Sequence, residues 1–320
     1  MLFQYLIYNE YGIILDKKFK PKSKVIEAVK NSLKIHQENT IYRAILNDDK
    51  EQFISFLERE GFDENRKLGS FLYPNSLDFY KFLDNKSNKY EFTSDLSLIE
   101  ICCYHGSVDC FKLLRTKFDM KITKRCLKFS FLGGNPEIMN ECLKYKKPNN
   151  KCMKYAIISH NIDFVAFLYN EHMLDIDETY CWWFNNLQSF LIYFDQNNNL
   201  DKCFLISPLF FSTKLCEYLL SQGANINAHG FSYLTGTALH TAACHDLIEI
   251  AEFLISNGAD INARNFEGNT PLHIAASFER REMEKFLISH GANVNLVNYD
   301  GLTYDKLHTK KNDWSSNCRI

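Results

Sequence analysis

Residues 258–276 read GADINARNFEGNTPLHIAA, and the fold turns on how much of this stretch recurs at one fixed distance. Thr270-Pro271-Leu272-His273 has a counterpart in Thr237-Ala238-Leu239-His240, and Thr237 to Thr270 is 33 residues. Gly258-Ala259-Asp260-Ile261-Asn262 lines up with Gly291-Ala292-Asn293-Val294-Asn295, again 33 from glycine to glycine. Thr303, within Asp300-Gly301-Leu302-Thr303, falls 33 after Thr270. Order, spacing and residue type agree at three landmarks, so the chain repeats one unit.

Each landmark has a physical task. Thr270 stands at a helix start, where its hydroxyl can cap a free N–H. Pro271 follows at the first helical position, where its missing N–H costs nothing. Ala275 and Ala276 let the first helix of the unit lie close to its neighbours. Met283, Phe286 and Leu287 form an apolar stripe on the second helix. Gly291 ends that helix, as Gly258 does one repeat earlier, where a left-handed residue is wanted. Gly268 and Gly301 fit the tight turn at a hairpin tip. A period of about 33 with these motifs resembles the ankyrin repeat. The expected fold is all-α: an ankyrin-type helical-repeat solenoid with degenerate repeats in the first two-thirds. His240 and His273 could be read as catalytic bases. The ankyrin resemblance implies a structural task for them, the imidazole bonding the threonine hydroxyl and the backbone of the adjacent unit.

Upstream the landmarks weaken. Cys203 to Gln222 followed by Gly223-Ala224-Asn225-Ile226-Asn227 reads as a helix pair, with Gly223 to Gly258 stretched to 35 by extra residues near Phe231 to Gly236. Leu98 to Leu114 reads as another pair, with Cys102-Cys103 at the double-alanine positions and Gly106 at its turn. Cys126 to Leu143 repeats this with Gly133-Gly134, and Cys152 to Leu168 with His160-Asn161. Gly106 to Gly134 is 28 and Gly134 to Asn161 is 27, which predicts trimmed hairpins between units. Ile41 to Leu57 looks like the first pair and Tyr180 to Phe194 like a further reduced one.

Five runs carry a second resemblance: ENTIYRAILNDDKEQFISFLE (38–58), SLIEICCYHGSVDCFKLL (97–114), FSFLGGNPEIMNECL (129–143), YAIISHNIDFVAFL (155–168) and NNLQSFLIYFD (185–195). They resemble the degenerate-ankyrin domain of unknown function in a greatly expanded family of a parasitic flagellate protist. That resemblance implies a helical-repeat scaffold and supplies no catalytic residues. The expected organisation is a capping segment over 1–36, degenerate repeats over 37–200, regular repeats with a partial last one over 201–309, and a polar tail over 310–320. A shortened cap and truncation of a longer protein are both open readings of that tail.

Composition limits the function. Hydrophobic residues make up 46% of 320, with 26 Phe and 17 Tyr, a load that a disordered chain does not carry. With 6 Pro and 13 Gly, turn residues are too sparse for a β-sandwich. A formal net charge of -2 offers no basic excess to phosphates, so no nucleic acid is expected as a partner. It gives no case for a membrane surface either. Residues 179–194 are uncharged but short and broken by Asn185, Asn186 and Gln188, which rules out a spanning helix. Met1 to Tyr8 is apolar but lacks the flanks of a signal peptide. The 11 cysteines read as reduced thiols of a cytoplasmic protein, with the nucleus also open.

The chain shows no GxGxxG, P-loop, GxSxG, HExxH or CxxC pattern, so no enzyme activity, cofactor or metal is expected. Cys102, Cys103 and Cys110 with His105 are better explained as buried thiols than as a zinc site. Asp48-Asp49 and Glu58-Glu60 are expected in turns or helix ends, on solvated surface. Trp182-Trp183 reads as one buried and one exposed ring, with core packing expected and a partner contact as the alternative for an exposed ring.

The expected function is a protein–protein interaction scaffold or adaptor, monomeric, using the hairpin tips and concave face of the array. The candidate contact positions are Arg264, Phe266, Glu267 and Asn269 on one tip, Tyr299 and Leu302 on the next, and Ser277 and Phe278 at the end of an inner helix. Phe231, Tyr233 and Leu234 on the enlarged tip join them, or fold back to fill the space the insertion makes. The competing reading is a regulatory or targeting module of an enzyme whose catalytic part lies on a C-terminal continuation or a bound subunit.

Overall fold

The computed structural model describes residues 39–69, 95–197, 199–230 and 236–307. They fall in two compact units divided between Asp175 and Ile176. Phe231, Tyr233 and Leu234 lie outside the described residues, as do the N-terminal segment and the polar tail.

The first unit holds four antiparallel helix pairs: α1 (Ile41–Leu46) with α2 (Lys50–Leu57), α3 (Leu98–His105) with α4 (Val108–Phe118), α5 (Lys124–Gly133) with α6 (Pro136–Leu143), and α7 (Asn150–Ile158) with α8 (Ile162–His172). The inner helices α1, α3, α5 and α7 pack in succession, and α2, α4 and α6 do so behind them. Helices this short are marginal alone, so burial between neighbouring pairs must supply their stability. Small side chains permit the approach: Ala44, Cys102, Cys103, Cys126, Cys142 and Ala156 are fully buried. The closest contact is at Gly133, where a Cβ would collide with the backbone oxygen of Cys103 and the backbone of Gly106.

The second unit continues the pattern with α9 (Glu178–Trp183) and α10 (Leu187–Gln196). Next come α11 (Leu200–Ile206), a 3-10 turn (Ser207–Phe210) and α12 (Thr213–Ser221). Then follow α13 (Ala238–Cys244) with α14 (Ile248–Ser256), α15 (Pro271–Ser277) with α16 (Arg281–Ser289), and a last inner turn, α17 (Tyr304–Leu307). Here α11, α13, α15 and α17 form the inner row and α12, α14 and α16 the outer one.

Local chemistry sets the ends of these helices. Side-chain oxygens of Thr40, Asp49, Thr123, Asn135, Asn149, Asn161, Asp177, Asn186, Asn199 and Ser212 accept backbone N–H groups of the helices they precede. Such caps satisfy donors that a helix start leaves unpaired. The turn inside every described pair contains one left-handed residue: Asp48, Gly106, Gly134, His160, Asn185, Phe211, Asp246 and Glu279, with φ between 49° and 74°. Only two of these are glycine, and Phe211 at φ 54° is the costliest choice.

The mostly helical fold agrees with the expected all-α class, and two local features add to it. The long connection from α2 to α3 carries an antiparallel pair of three-residue strands, β1 (Lys67–Gly69) and β2 (Asp95–Ser97), in register Lys67↔Ser97, Leu68↔Leu96 and Gly69↔Asp95. They pair backbone groups beside a buried Leu68 and Leu96 that would otherwise lack partners. Asp48 is not merely solvated. Its carboxylate accepts the backbone N–H groups of Asp109, at 3.1 Å, and Cys110, at 3.0 Å, so it caps α4 of the following pair. Ser107 Oγ donates back to the carbonyl of Ile45 at 2.5 Å, and together they fasten the first pair to the second across the long connection.

Candidate interaction surface

The two classes of repeat differ in what joins one pair to the next. In the first unit residues 119–123 and 144–149 suffice, whereas 257–270 and 290–303 in the second unit are full hairpins. Those hairpins are stitched sideways. Asn227 Oδ1 accepts the N–H of Asp260 at 2.8 Å, and Asn262 Oδ1 accepts the N–H of Asn293, also at 2.8 Å. Each repeat thus binds the same backbone donor of its successor.

The tips are built on Asn265 and Asn298. Asn265 Oδ1 accepts the N–H groups of Glu267 and Asn269, and Asn298 Oδ1 those of Asp300 and Leu302, at 2.9 to 3.1 Å. Gly268 (φ 74°) and Gly301 (φ 72°) close the turns, and a Cβ on Gly268 would enter the ring of Tyr299. Neighbouring tips are tied together, since Tyr299 N–H donates to Glu267 O at 3.0 Å and Asn298 Nδ2 donates to Asn269 Oδ1 at 2.8 Å. Asn265 and Asn298 were not among the expected landmarks. Their signal was available, since they stand 33 residues apart, each three before its tip glycine.

The histidines are framework. Thr237 N–H donates to His240 Nδ1 at 3.0 Å, so that nitrogen is the bare acceptor and Nε2–H donates to the carbonyl of Asn269 at 3.0 Å. His273 repeats this with Thr270 and the carbonyl of Leu302, at 3.3 and 3.1 Å. Burial pushes His240 down to about 4 and lowers His273 as well. Both ring nitrogens are occupied, which leaves no proton acceptor facing a substrate. His245 is also pushed down to about 4, by burial and the adjacent Arg280. Ten cysteines are buried thiols, and burial raises Cys152 and Cys203 to about 11 and Cys181 to about 12. Among the described residues no group of three or more His, Cys, Asp or Glu side chains is arranged to hold a metal ion. No described helix is long and apolar enough to cross a membrane.

The contact positions separate. Phe266 and Tyr299 are exposed, at 56% and 73%, and so are Val294 and Val297. Arg264 is half-buried and its guanidinium donates to the carbonyls of Gly268 and Val297. Glu267, Ser277, Phe278 and Leu302 are half-buried, and Ser277 Oγ donates to the carbonyl of His273 at 2.9 Å. Asn269 departs from expectation. It is 7% exposed, and its amide bonds Glu267 and Asn298, because adjacent tips close over it. Trp182 and Trp183 are both half-buried and meet edge-to-face at 5.6 Å, unlike the expected buried-and-exposed pair.

This architecture defines a helical-repeat protein. The family model described as "Ankyrin repeats (3 copies)" matches residues 185–265 and again 209–298, and that described as "Domain of unknown function (DUF3447)" matches residues 118–193. The chain therefore carries ankyrin repeats and, partly overlapping them, a domain of unknown function. None of the curated proteins matches it. Ankyrin repeats generally mediate protein–protein interaction and are typically non-catalytic.

Proposed function

We propose that this chain is a scaffold or adaptor that holds a partner protein against the hairpin tips and inner-helix face of its regular repeats. The observation that carries this reading is the pair of exposed aromatic rings, Phe266 and Tyr299, on tips that hydrogen bonds lock to each other. Large rings on a rigid base lose little entropy on binding and are favoured anchors of interfaces. The upstream runs quoted above favour placing the first part of the chain with the expanded protist family of degenerate ankyrin domains. The buried thiols favour a reducing compartment, and the cytoplasm with a monomeric state is the simplest setting.

The test is affinity capture with the full chain and with its Phe266→Ala/Tyr299→Ala variant, circular dichroism verifying equal folding. The reading expects at least one protein to be retained by the first and lost by the second. Identical captured sets would remove the tips from the account.

A further inference from the structure

The two exposed rings occupy equivalent positions, and each is followed by an acid: Phe266-Glu267 on one tip and Tyr299-Asp300 on the next, 33 residues apart. Asp300 is exposed and Glu267 half-buried. Within 257–270 and 290–303 the carboxylates are Asp260, Glu267 and Asp300, against one Lys or Arg, Arg264. That cation is directed onto the carbonyls of Gly268 and Val297. Burial, and next the charge of Asp300, raise Glu267, while its bond from Asn269 opposes them. A cation arriving between the tips would relieve that repulsion. A ring face also attracts a guanidinium or ammonium group, so aromatics and acids select the same ligand.

We propose that these two tips dock an extended basic segment of a partner protein, its Arg or Lys side chains meeting Phe266-Glu267 and Tyr299-Asp300 in turn. Packed helices stand about 8–10 Å apart, and a segment in the extended polyproline-II form advances about 3.1 Å per residue with three residues per turn, so cations about three residues apart share one face and match the tips. This rests on the tip-binding reading above and adds the chemistry of the partner.

The test uses the full chain and three fluorescent twelve-residue peptides rich in Gly and Ser: Arg at every third position, the same number of Arg in one block at the end, and Glu at every third position. Fluorescence anisotropy at 0.15 M salt is expected to rank them in that order, the Glu peptide not binding. Glu267→Gln/Asp300→Asn keeps the acceptors within the tips and should weaken the spaced-Arg peptide about fivefold to tenfold. Phe266→Ala/Tyr299→Ala should weaken it about thirtyfold or more. Equal affinity for Arg and Glu peptides, or for spaced and blocked Arg, overturns the proposal, as does an unchanged affinity in the Gln/Asn variant. A captured partner lost with Phe266→Ala/Tyr299→Ala yet kept with Glu267→Gln/Asp300→Asn would overturn the basic segment alone and leave the tip reading standing.

Discussion

His240 makes the regular repeats acid-sensitive in a way that one substitution can isolate. Its imidazole is fully buried, with Nδ1 receiving the N–H of Thr237 and Nε2–H donated to Asn269. A second proton on Nδ1 would face that N–H, and burial holds the group at about 4, with His229 adding to the lowering and the Asn269 carbonyl and Asp260 opposing it. In the unfolded chain the ring takes up a proton near 6.5. The folded state therefore keeps its full share of stability above that value and loses it as pH falls towards 4. With those two values the loss at pH 5 is about 2 kcal/mol relative to neutral pH. His240→Gln keeps a side chain that can reach the Thr237 N–H, as Gln does at this position of a capping box, but removes the titration. Urea unfolding at pH 7 and pH 5 should show the variant less stable at pH 7 by about 1–3 kcal/mol for the lost Asn269 bond. Its further drop to pH 5 should be smaller than that of the native protein by about 2 kcal/mol. A drop of equal size in both proteins, or a resonance titrating near 6.5 in the folded protein and missing from the His240→Gln variant, would refute the reasoning.

Gly133→Ala forces a methyl against the backbone of Cys103 and Gly106 and should cost about 1–3 kcal/mol, read as a fall in melting temperature. Asp48→Ala removes the cap that α4 receives from the preceding pair and should cost about 1–2 kcal/mol, whereas Asp48→Asn, which keeps an acceptor and tolerates a positive φ, should cost less in the same denaturation assay. Phe211→Gly relieves a left-handed bulky residue that is 60% exposed and should raise stability by up to about 1 kcal/mol. A thiol reagent at pH 8 on a Cys318→Ala background should label none of the ten buried cysteines until urea unfolds the chain, because burial hides them and holds most of them protonated.

The parts of the fold legible in the sequence are those decided within a few residues. Thr237, Thr270, Pro271, Gly106 and Gly134 each act on the turn or helix end where they stand, so residue type at fixed spacing sufficed. The short connections 119–123 and 144–149 followed from the 28- and 27-residue intervals. Apart from the bonds of His240 and His273 to the next unit, which the ankyrin resemblance implied, features that depend on a neighbouring repeat did not show. Asp48 caps a helix about sixty residues onward, and no local pattern marks that. Asn269 sits at a hairpin tip, where exposure is the ordinary expectation, and only the closure of the next tip buries it. The strands β1 and β2 are too short for an alternation to register. Phe211 and Glu279 occupy left-handed turns for which neither residue type is a signal.

The bonds from Asn227 to Asp260 and from Asn262 to Asn293 make adjacent repeats interchangeable at their seams. Each repeat carries its donor two residues before its acceptor position, Asp260 before Asn262 and Asn293 before Asn295, so each presents the same seam to the repeat beside it. Excising the 33 residues from Asp260 up to Asn293 would leave Asn227 facing an equivalent donor, whereas removing a few residues would break a junction. A change of one whole period is therefore tolerated at the seam where a smaller one is not, and it would alter the number of tips without altering the joinery.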